Sequence, residues 1–257
     1  MIEFFKYHGT GNDFIMIDNR LKVFSGDKVE FAQKWCERRF GIGSDGVIFL
    51  ENDNDSDFLM DFYNPDGSQS FCGNGSRCVV AFAKFLKIID DQAMFKAIDG
   101  VHEAKIQGDI IHIKMGDVSG VELIGEDHFI NTGSPHYLSY CGENDHRNII
   151  EYGKAIRYSK RYQQEGTNVN LVREIAQDQI DLRTYERGVE NETFACGTGA
   201  TAAALSFAYK NNLEKGCVKV NVKGGRLEVS FIRKNDNFNN VWLIGPAVKV
   251  FKGIIDG

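Results

Sequence analysis

One cysteine motif occurs twice in the chain, and each copy is followed by a stretch typical of a helix. Cys72 begins a Cys-Gly-Asn-Gly sequence before residues 77–86, and Cys196 begins a Cys-Gly-Thr-Gly sequence before residues 201–209. A cysteine just before a helix lies near free backbone N–H groups and the positive end of the helix dipole, which stabilise a thiolate. Two such cysteines indicate two matched proton-transfer groups that face one substrate.

The chemistry open to such a pair follows from the acidity of thiols. A thiol with a pKa near 8.5 is only about 3% thiolate at pH 7, whereas a pKa of about 6 makes it roughly 90% thiolate. Two thiolates around one ligand repel, so we expect one charged and one neutral sulfur that share a proton. A base on one face of a carbon and an acid on the other inverts that carbon. The pair therefore predicts a two-base racemase or epimerase.

The difficult step of that reaction is forming a carbanion next to a carboxylate. The two helix starts could bind this carboxylate through the N–H groups of Gly73, Asn74, Gly197 and Thr198. No local pattern calls for pyridoxal phosphate, and the glycine clusters lack the ending of a phosphate loop. There is no Cys-x-x-Cys pair either. We expect neither a cofactor nor a metal.

An internal repeat organises the chain. When the sequence is compared with itself at an offset of 122, Thr10-Gly11-Asn12 matches Thr132-Gly133-Ser134, and residues 58–63 match 180–185. The two cysteines match at 124. The simplest interpretation is two homologous halves related by a pseudo-two-fold axis. The first comprises residues 1–117 plus 247–257 and contains Cys72; the second comprises 118–246 and contains Cys196.

Each half of the repeat is predicted to consist mostly of strands. Short β-branched or aromatic runs predict strands over 14–18, 47–50, 58–63 and 110–115, matched by 137–140, 169–172, 180–185 and 226–232. Helices are predicted over 28–39 and 148–157 and after each cysteine. The fold class is α+β, with each half a strand-rich sheet wrapped around a central helix. The helix after Cys196 is small and apolar on nearly every side and is expected to be buried. Residues 248–251 alternate like a strand and are expected to pair with the first half.

The bulk composition excludes several classes of protein. The 257 residues are 42% hydrophobic, and the net charge of −6 argues against nucleic-acid binding. No apolar run approaches the roughly 20 residues that span a bilayer, and the N-terminus lacks a signal-peptide pattern. We therefore expect a cytoplasmic protein with no membrane partner. The other four cysteines, Cys36, Cys78, Cys141 and Cys217, are expected to be inert residues of the core.

Five sequence blocks together resemble the diaminopimelate epimerase family. They are residues 8–14 (HGTGNDF), 64–68 (NPDGS), 72–77 (CGNGSR), 186–188 (ERG) and 195–199 (ACGTG), and the resemblance extends from residue 1 to about 252. It implies two similar α/β halves with the active site in the cleft between them. It also implies interconversion of LL- and meso-diaminopimelate without cofactor or metal, a role in lysine and peptidoglycan precursor synthesis, and a homodimer.

The resemblance also implies the site residues. Cys72 and Cys196 would be the acid/base pair, and His136 and Glu186 would modulate their pKa values. Gly73, Asn74, Gly197 and Thr198 would hold the reacting carboxylate. The rest of the substrate would be bound by Asn12, Asn64, Asn168, Glu186 and Arg187, with the arginine fork matched to the second carboxylate.

The chain departs from the common family pattern at three positions. Ser134 replaces a frequent asparagine, Gly46 replaces a glutamine found in some members, and Phe251 replaces a tyrosine linked to dimer contacts. Two alternatives stay open at this point. A proline or hydroxyproline racemase would also use two cysteines, although it gives no role to Glu186 and Arg187. A redox or metal switch could use the same two thiols.

Overall fold

The computed structural model describes residues 1–256. The chain forms two compact units, Met1–Ile113 with Gly245–Gly257, and Lys114–Ile244. Gly257, which ends the predicted first half, lies outside the described residues. The pseudo-two-fold relation between the halves stays a prediction.

Four helices and eighteen strands make up the described part of the chain. The helices are α1 (Lys28–Trp35), α2 (Gly73–Phe85), α3 (Ile149–Arg157) and α4 (Gly197–Lys210). The strands are β1 (Ile2–Gly9), β2 (Asn12–Asp18), β3 (Val47–Glu51), β4 (Phe58–Tyr63), β5 (Gln92–Ala97), β6 (Gly100–Gln107), β7 (Ile110–Lys114), β8 (Val118–Ser119), β9 (Glu122–Ile124), β10 (Asp127–Asn131), β11 (Pro135–Tyr140), β12 (Asn168–Ala176), β13 (Gln179–Glu186), β14 (Asn191–Glu192), β15 (Lys215–Val222), β16 (Gly225–Lys234), β17 (Asn237–Pro246) and β18 (Val248–Ile255).

The first unit is a mixed sheet around α2. Strand β2 is antiparallel to β1 and parallel to β3, and β4 is antiparallel to β3 and parallel to β5. The two parallel pairs need crossovers, which α1 and α2 provide. Helix α2 packs on β1 to β4. Strand β18 pairs with β1, with Ile2 opposite Ile255, which confirms the pairing expected for residues 248–251.

The second unit repeats these pairings at the predicted offset. In the first unit Ile15 lies opposite Val47, which lies opposite Tyr63. In the second unit Tyr137 lies opposite Val169, which lies opposite Tyr185, so every number is larger by 122. The directions agree as well, because β11 is parallel to β12 and β12 is antiparallel to β13. The predicted α+β class with two similar halves is confirmed.

Helix α4 is the centre of the second unit. Residues 199–208 are buried without interruption, and the helix contacts β10 to β13, β15 and β16. The helix has no polar face because strands surround it, and its alanine side chains are small enough to let those strands approach closely. Its predicted burial is confirmed. Among residues 1–256, every helix is too short or too polar to span a bilayer.

The four other cysteines differ in burial. Cys36 and Cys78 lie in the core as expected, whereas Cys141 is half-buried. Cys217 is exposed, so the expected core position is wrong for this residue.

The helix ends differ from the sequence prediction. The helix predicted over 28–39 ends at Trp35, because Gly43 adopts a left-handed φ of 78° and its N–H bonds back to the Trp35 carbonyl. The helices predicted from Arg77 and Thr201 begin earlier, at Gly73 and Gly197. Each cysteine is thus the N-cap of its helix rather than a residue of a preceding loop.

Candidate active site

Cys72 caps the N-terminus of α2. Its backbone is extended, with φ −130° and ψ 108°, and its carbonyl accepts the first helical bond from Ser76 at 2.8 Å. The Sγ atom accepts the N–H of Gly75 at 3.4 Å. A helix leaves the N–H groups of its first turn without partners inside the helix, so they point towards the cap. The sulfur therefore lies at the positive end of the helix dipole.

Asn12 gives the same sulfur a hydrogen-bond acceptor. Its Nδ2 donates to a carboxylate oxygen of Asp45 at 2.7 Å, which fixes the orientation of the amide because a carboxylate only accepts. The Oδ1 atom consequently faces Cys72 Sγ at 3.8 Å and accepts Asn74 Nδ2 at 3.0 Å. Cys72 thus has an acceptor for its thiol hydrogen and an N–H donor, that of Gly75, for its thiolate.

Asn64 lies in a tight loop in the same unit. Its Nδ2 bonds the carbonyl and hydroxyl oxygens of Ser68, both at 3.1 Å, and the hydroxyl of Ser70 at 3.2 Å. Its carbonyl accepts the N–H of Gly67, which has a left-handed φ of 87°. These bonds form a local turn, and the role of Asn64 in substrate binding stays a prediction.

Cys196 caps α4 in the same backbone conformation, with φ −123° and ψ 115°. It is buried, and its Sγ lies 3.5 Å from the hydroxyl of Thr198. A Cβ at Gly199 would lie 3.3 Å from this sulfur and 3.2 Å from Asn170 Oδ1, so the glycine leaves space for both. The second thiol therefore has a hydroxyl partner where the first has an amide.

His136 is tied to Cys196 through that hydroxyl. The ring is completely buried, with Nε2 at 3.0 Å from Thr198 Oγ1 and Nδ1 at 3.2 Å from Asn170 Nδ2. The amide of Asn170 has a defined orientation, because Nδ2 donates to the Tyr137 carbonyl at 3.0 Å and Oδ1 accepts the Thr184 hydroxyl at 2.9 Å. Nδ2 can then donate to Nδ1. Asn168 Nδ2 lies farther away, 3.5 Å from Nε2, and already donates to the Pro135 carbonyl, so the contacts favour the tautomer with the ring hydrogen on Nε2.

This tautomer decides what Thr198 can offer to Cys196. Because Nε2–H occupies a lone pair of the Thr198 hydroxyl, the hydroxyl hydrogen remains available for the sulfur. Burial, together with a smaller effect of the positive charge of Arg187, lowers the pKa of His136 to about 3. His136 is therefore neutral at physiological pH and acts on Cys196 through hydrogen bonds rather than through a charge.

Glu186 and Arg187 lie where β13 ends. The Arg187 N–H donates to Asn168 Oδ1 at 2.9 Å, and Nη1 donates to the Glu165 carbonyl at 2.6 Å. Asn168 Nδ2 donates to the Pro135 carbonyl at 3.2 Å. The Arg187 side chain remains exposed beyond these bonds. Asn168 thus holds the turn that presents the arginine, a role in addition to the predicted contact with substrate.

The three departures from the family pattern have different structural settings. A Cβ at Gly46 would lie 2.3 Å from a ring carbon of Phe62, so the ring occupies the place of any side chain. Ser134 accepts the Thr132 N–H through its carbonyl at 3.1 Å. Phe251 packs edge-on against Phe4 with ring centroids 6.0 Å apart.

Sequence reasoning missed several residues that bond to this machinery. Asp45 orients Asn12, Asn170 and Thr184 orient His136, and Arg77 bonds Asn74. A signal existed for Asn170, because residues two apart on a strand share a face and Asn168 had been selected. Asp45 has no such signal, since only the fold brings it to Asn12.

Comparisons with known proteins identify the family of the chain. The chain matches the family model for diaminopimelate epimerase over residues 4–121 and 128–250. A diaminopimelate epimerase of Flavobacterium psychrophilum is 49% identical over 256 residues, which cover 99% of this chain and 100% of the relative. One from Aquifex aeolicus is 40% identical over 274 residues, with 98% and 97% covered.

Solved structures share the fold at much lower identity. A hydroxyproline epimerase from Agrobacterium vitis with bound trans-4-OH-L-proline has a TM-score of 0.71 at 13% identity and covers 98% of this chain and 91% of its own. A phenazine biosynthesis protein of the PhzF family from Bacillus anthracis has a TM-score of 0.77 at 13% identity, with 99% of both chains covered.

Together, the fold and the relatives define the chain as an isomerase of the epimerase class. More narrowly, it belongs to the diaminopimelate epimerase family, as the family model and the full-length relatives show. The resemblance seen in the sequence blocks is confirmed.

The buried neutral His136 generates a prediction about stability and pH. Below about pH 6.5 the unfolded chain binds a proton at this residue and the folded chain does not, so stability falls as pH drops from about 6.5 towards 3. The loss is about 1.4 kcal/mol per pH unit in that window. We expect His136→Gln to remove this dependence, measured as the free energy of unfolding by urea from pH 7 to 4.

The exposed His146 provides the control. The stability of His146→Gln should follow the wild-type curve across the same range. For His136→Gln, the slope of the unfolding free energy against pH should be smaller by the equivalent of about one bound proton. Parallel curves for wild type and His136→Gln would contradict a buried neutral histidine.

Proposed function

We propose that this protein interconverts LL- and meso-2,6-diaminopimelate by moving the α-proton between the thiols of Cys72 and Cys196, without cofactor or metal. The observation that supports this most is that each unit begins its central helix at a cysteine with partners for an acid/base role. In this function the product serves lysine and peptidoglycan precursor synthesis.

Each turnover begins with one thiolate and one thiol. The thiolate takes the α-proton, so the Cα–H bond breaks, an S–H bond forms and the electron pair moves into the carboxylate. The thiol of the other cysteine then gives its proton to the opposite face of that carbon and becomes the thiolate. Atoms and charge balance without an added reagent. Before the next turnover in the same direction, the cysteine that took the proton must pass it back to the other cysteine.

The carboxylate next to the reacting carbon gains negative charge in this step. The first turns of α2 and α4 offer the N–H groups of Gly73, Asn74, Gly197 and Thr198 for it. Fixed donors of this kind cost no reorganisation when the charge develops, which is why they often contribute most to catalysis. Both helix dipoles favour the same negative charge.

The distant end of diaminopimelate has a second carboxylate and a second ammonium group. The exposed guanidinium of Arg187 suits the carboxylate, since its planar fork can donate two parallel hydrogen bonds. Glu186, next to it and half-buried, suits the ammonium. Asn12, Asn64 and Asn168 would add polar contacts. These groups explain why a substrate with one carboxylate and no second ammonium, such as proline, would bind poorly.

The local contacts of Cys196 favour its anionic form when its proton has been transferred. With the hydrogen of His136 on Nε2, Thr198 donates to the thiolate; in the other tautomer its hydrogen would bond the ring instead. We assign to His136 a modulating role of this kind. Glu186 would supply the second modulating contact.

Isotope exchange tests the proposed reaction directly. LL-diaminopimelate incubated with the protein in deuterated water should give meso product with deuterium at the inverted α-carbon, followed by NMR and mass spectrometry. Prior treatment with a chelator or with hydroxylamine should not change the rate, because no metal or carbonyl cofactor takes part. Absence of both deuterium and meso product, or turnover of L-proline instead, would refute the proposal.

Replacing either cysteine tests the two-base step. Cys72→Ala and Cys196→Ala should each lower the rate of interconversion by at least about 10³-fold, because each removes an acid or base that nothing else replaces. Cys217→Ala is the matched control, since this exposed thiol lies on β15, and it should keep the wild-type rate within about twofold. Full activity in either of the first two variants would exclude the mechanism.

The proposal includes a cytoplasmic homodimer. Strand β18 displays an apolar row, with Val248, Val250 and Ile254 exposed by 45%, 55% and 64%. The strand is bulged at Val250, because Phe251 pairs with Lys6 while Lys249 pairs with Tyr7. An exposed apolar row is typical of an interface between subunits. The thiols of Cys36, Cys78, Cys141 and Cys217 suit a reducing compartment.

A charge placed in this row should separate the subunits. We expect Val250→Glu to shift the mass in solution from about two chains to one, measured by light scattering after size exclusion. Val101→Glu is the control, because Val101 is a strand valine with the same 55% exposure on β6. A dimer that survives Val250→Glu, or a wild-type monomer, would count against this interface.

A further inference from the structure

Arg77 is a buried cation with neutral partners only. It lies in α2 and is the largest completely buried side chain of the described residues. Its guanidinium donates to the Thr10 hydroxyl at 3.0 Å, to Asn74 Oδ1 at 2.9 Å, and to the carbonyls of Gly73 and Pro246 at 3.4 and 3.3 Å. Within residues 1–256 no carboxylate lies within ion-pair distance of it. An arginine in such a place normally needs a counter-charge.

The neighbouring backbone is shaped around this side chain. A Cβ at Gly9 would lie 2.9 Å from Arg77 Nη2, so a larger residue would collide with the guanidinium. Thr10 adopts a left-handed φ of 52°, a conformation that a β-branched residue rarely takes. That strain positions the hydroxyl that accepts from Arg77. Strain of this kind is typical of functional positions.

The carboxylates of the same region are already paired with other cations. Asp13 is bound by Lys6 and Arg38, both at 2.7 Å, and Asp45 is bound by Arg38 at 2.7 Å. They leave the charge of Arg77 to be balanced by some other group.

Two thiols share the helix of Arg77: Cys78 follows it in the chain, and Cys72 is the N-cap five residues before it, so both can influence its charge. Burial raises the pKa of Cys78 far above neutrality, so Cys78 stays a thiol. Cys72 is only half-buried, and its sulfur already accepts the N–H of Gly75. Burial lowers the pKa of Arg77 to about 10, while negative charge on Cys78 or Cys72 would raise it. Arg77 remains protonated at neutral pH, and Cys72 is the one of these two thiols that can supply an anion there.

The second unit has no buried equivalent of this cation. Thr201 stands at the matching position of α4, and its hydroxyl donates to the Gly197 carbonyl at 3.0 Å. His136 is neutral, and Arg187 is exposed, so its charge is better screened by water than that of a buried cation. The buried charge of the N-terminal unit is therefore specific to that unit.

We propose that Arg77 is a positioning residue that acts as the fixed counter-charge of Cys72 and places the resting thiolate on that sulfur. The inference deepens the proposed function, since it names the thiol that is the base before substrate arrives. When the proton returns to Cys72, its thiol can donate to Asn12 and the charge passes to Cys196. Arg77 thus biases the shared proton without touching the substrate.

Thiol alkylation without substrate tests this inference. The rate of iodoacetamide reaction at each cysteine is followed by fragment-ion mass spectrometry from pH 5 to 10, and the midpoint of each rate curve reports where that thiol ionises. In the wild type we expect the Cys72 midpoint to lie about one pH unit or more below that of Cys196. Arg77→Gln should raise the Cys72 midpoint by about one unit or more, and Arg77→Lys, which keeps the charge, should restore most of that shift.

Lys84→Gln removes an exposed cation from the last turn of the same helix and should leave the Cys72 midpoint unchanged. A folded Arg77→Gln protein with the wild-type Cys72 midpoint would overturn the inference. If Arg77→Gln does not fold, the wild-type order decides, and a Cys72 midpoint equal to or above that of Cys196 overturns it. Because no turnover is measured, a failed epimerase assay would leave this result intact and would refute only the proposed function.

Discussion

A cysteine at the first turn of a buried helix is the interaction on which both units depend. The thiol needs the N–H groups and the dipole of the helix end to ionise at neutral pH, and those exist only if the helix begins at that residue. The sheet secures this beginning. In the first unit β4 leads into α2 and β5 follows it in parallel, so the crossover fixes where the helix starts. In the second unit β13, α4 and β15 do the same.

Different residues surround the cysteine sulfur in each of the two units. At Cys72 the sulfur faces an amide oriented by Asp45, and the same helix holds a buried cation, Arg77, which bonds Asn74. Around Cys196 the groups are a hydroxyl and a neutral histidine whose tautomer is set by Asn170. A charge biases a proton strongly, whereas a hydroxyl accommodates either protonation state because it can donate or accept. In a reversible two-base reaction the shared proton should prefer one cysteine without being held there permanently. Unequal surroundings of the two sulfurs provide such a preference.

The sequence predicted the parts of the fold that depend on local pattern and on the repeat. The offset of 122 anticipated the strand register, since Val47 pairs with Tyr63 as Val169 pairs with Tyr185. Helix ends were less predictable: Gly43, which lies beyond the predicted helix, bonds back to Trp35 where α1 ends. The short motif predicted that each cysteine stands at the start of a helix, and both are N-caps; their role as acid and base stays a prediction.

The supporting residues of the site could not be found in the same way. Asp45 and Thr10 act through contacts with residues distant in sequence, and no local pattern marks them. Asn168 was selected as a substrate contact, yet its oxygen accepts the backbone of Arg187. A polar residue beside a reactive group can bind the ligand directly, or it can position another residue that binds the ligand. Only the three-dimensional contacts distinguish these two roles.

The second glycine of each cysteine motif is required by packing. Gly75 and Gly199 lie within ordinary helix, so neither is needed for an unusual backbone angle. Each is needed for space. A Cβ at Gly75 would lie 3.1 Å from side-chain atoms of both Ile48 and Met60, and one at Gly199 would lie 3.3 Å from the Cys196 sulfur. Without a side chain there, the helix start packs directly on the sheet and the thiol remains beside the N–H groups. The second glycine of the motif is thus a packing requirement that keeps each cysteine at the start of its helix.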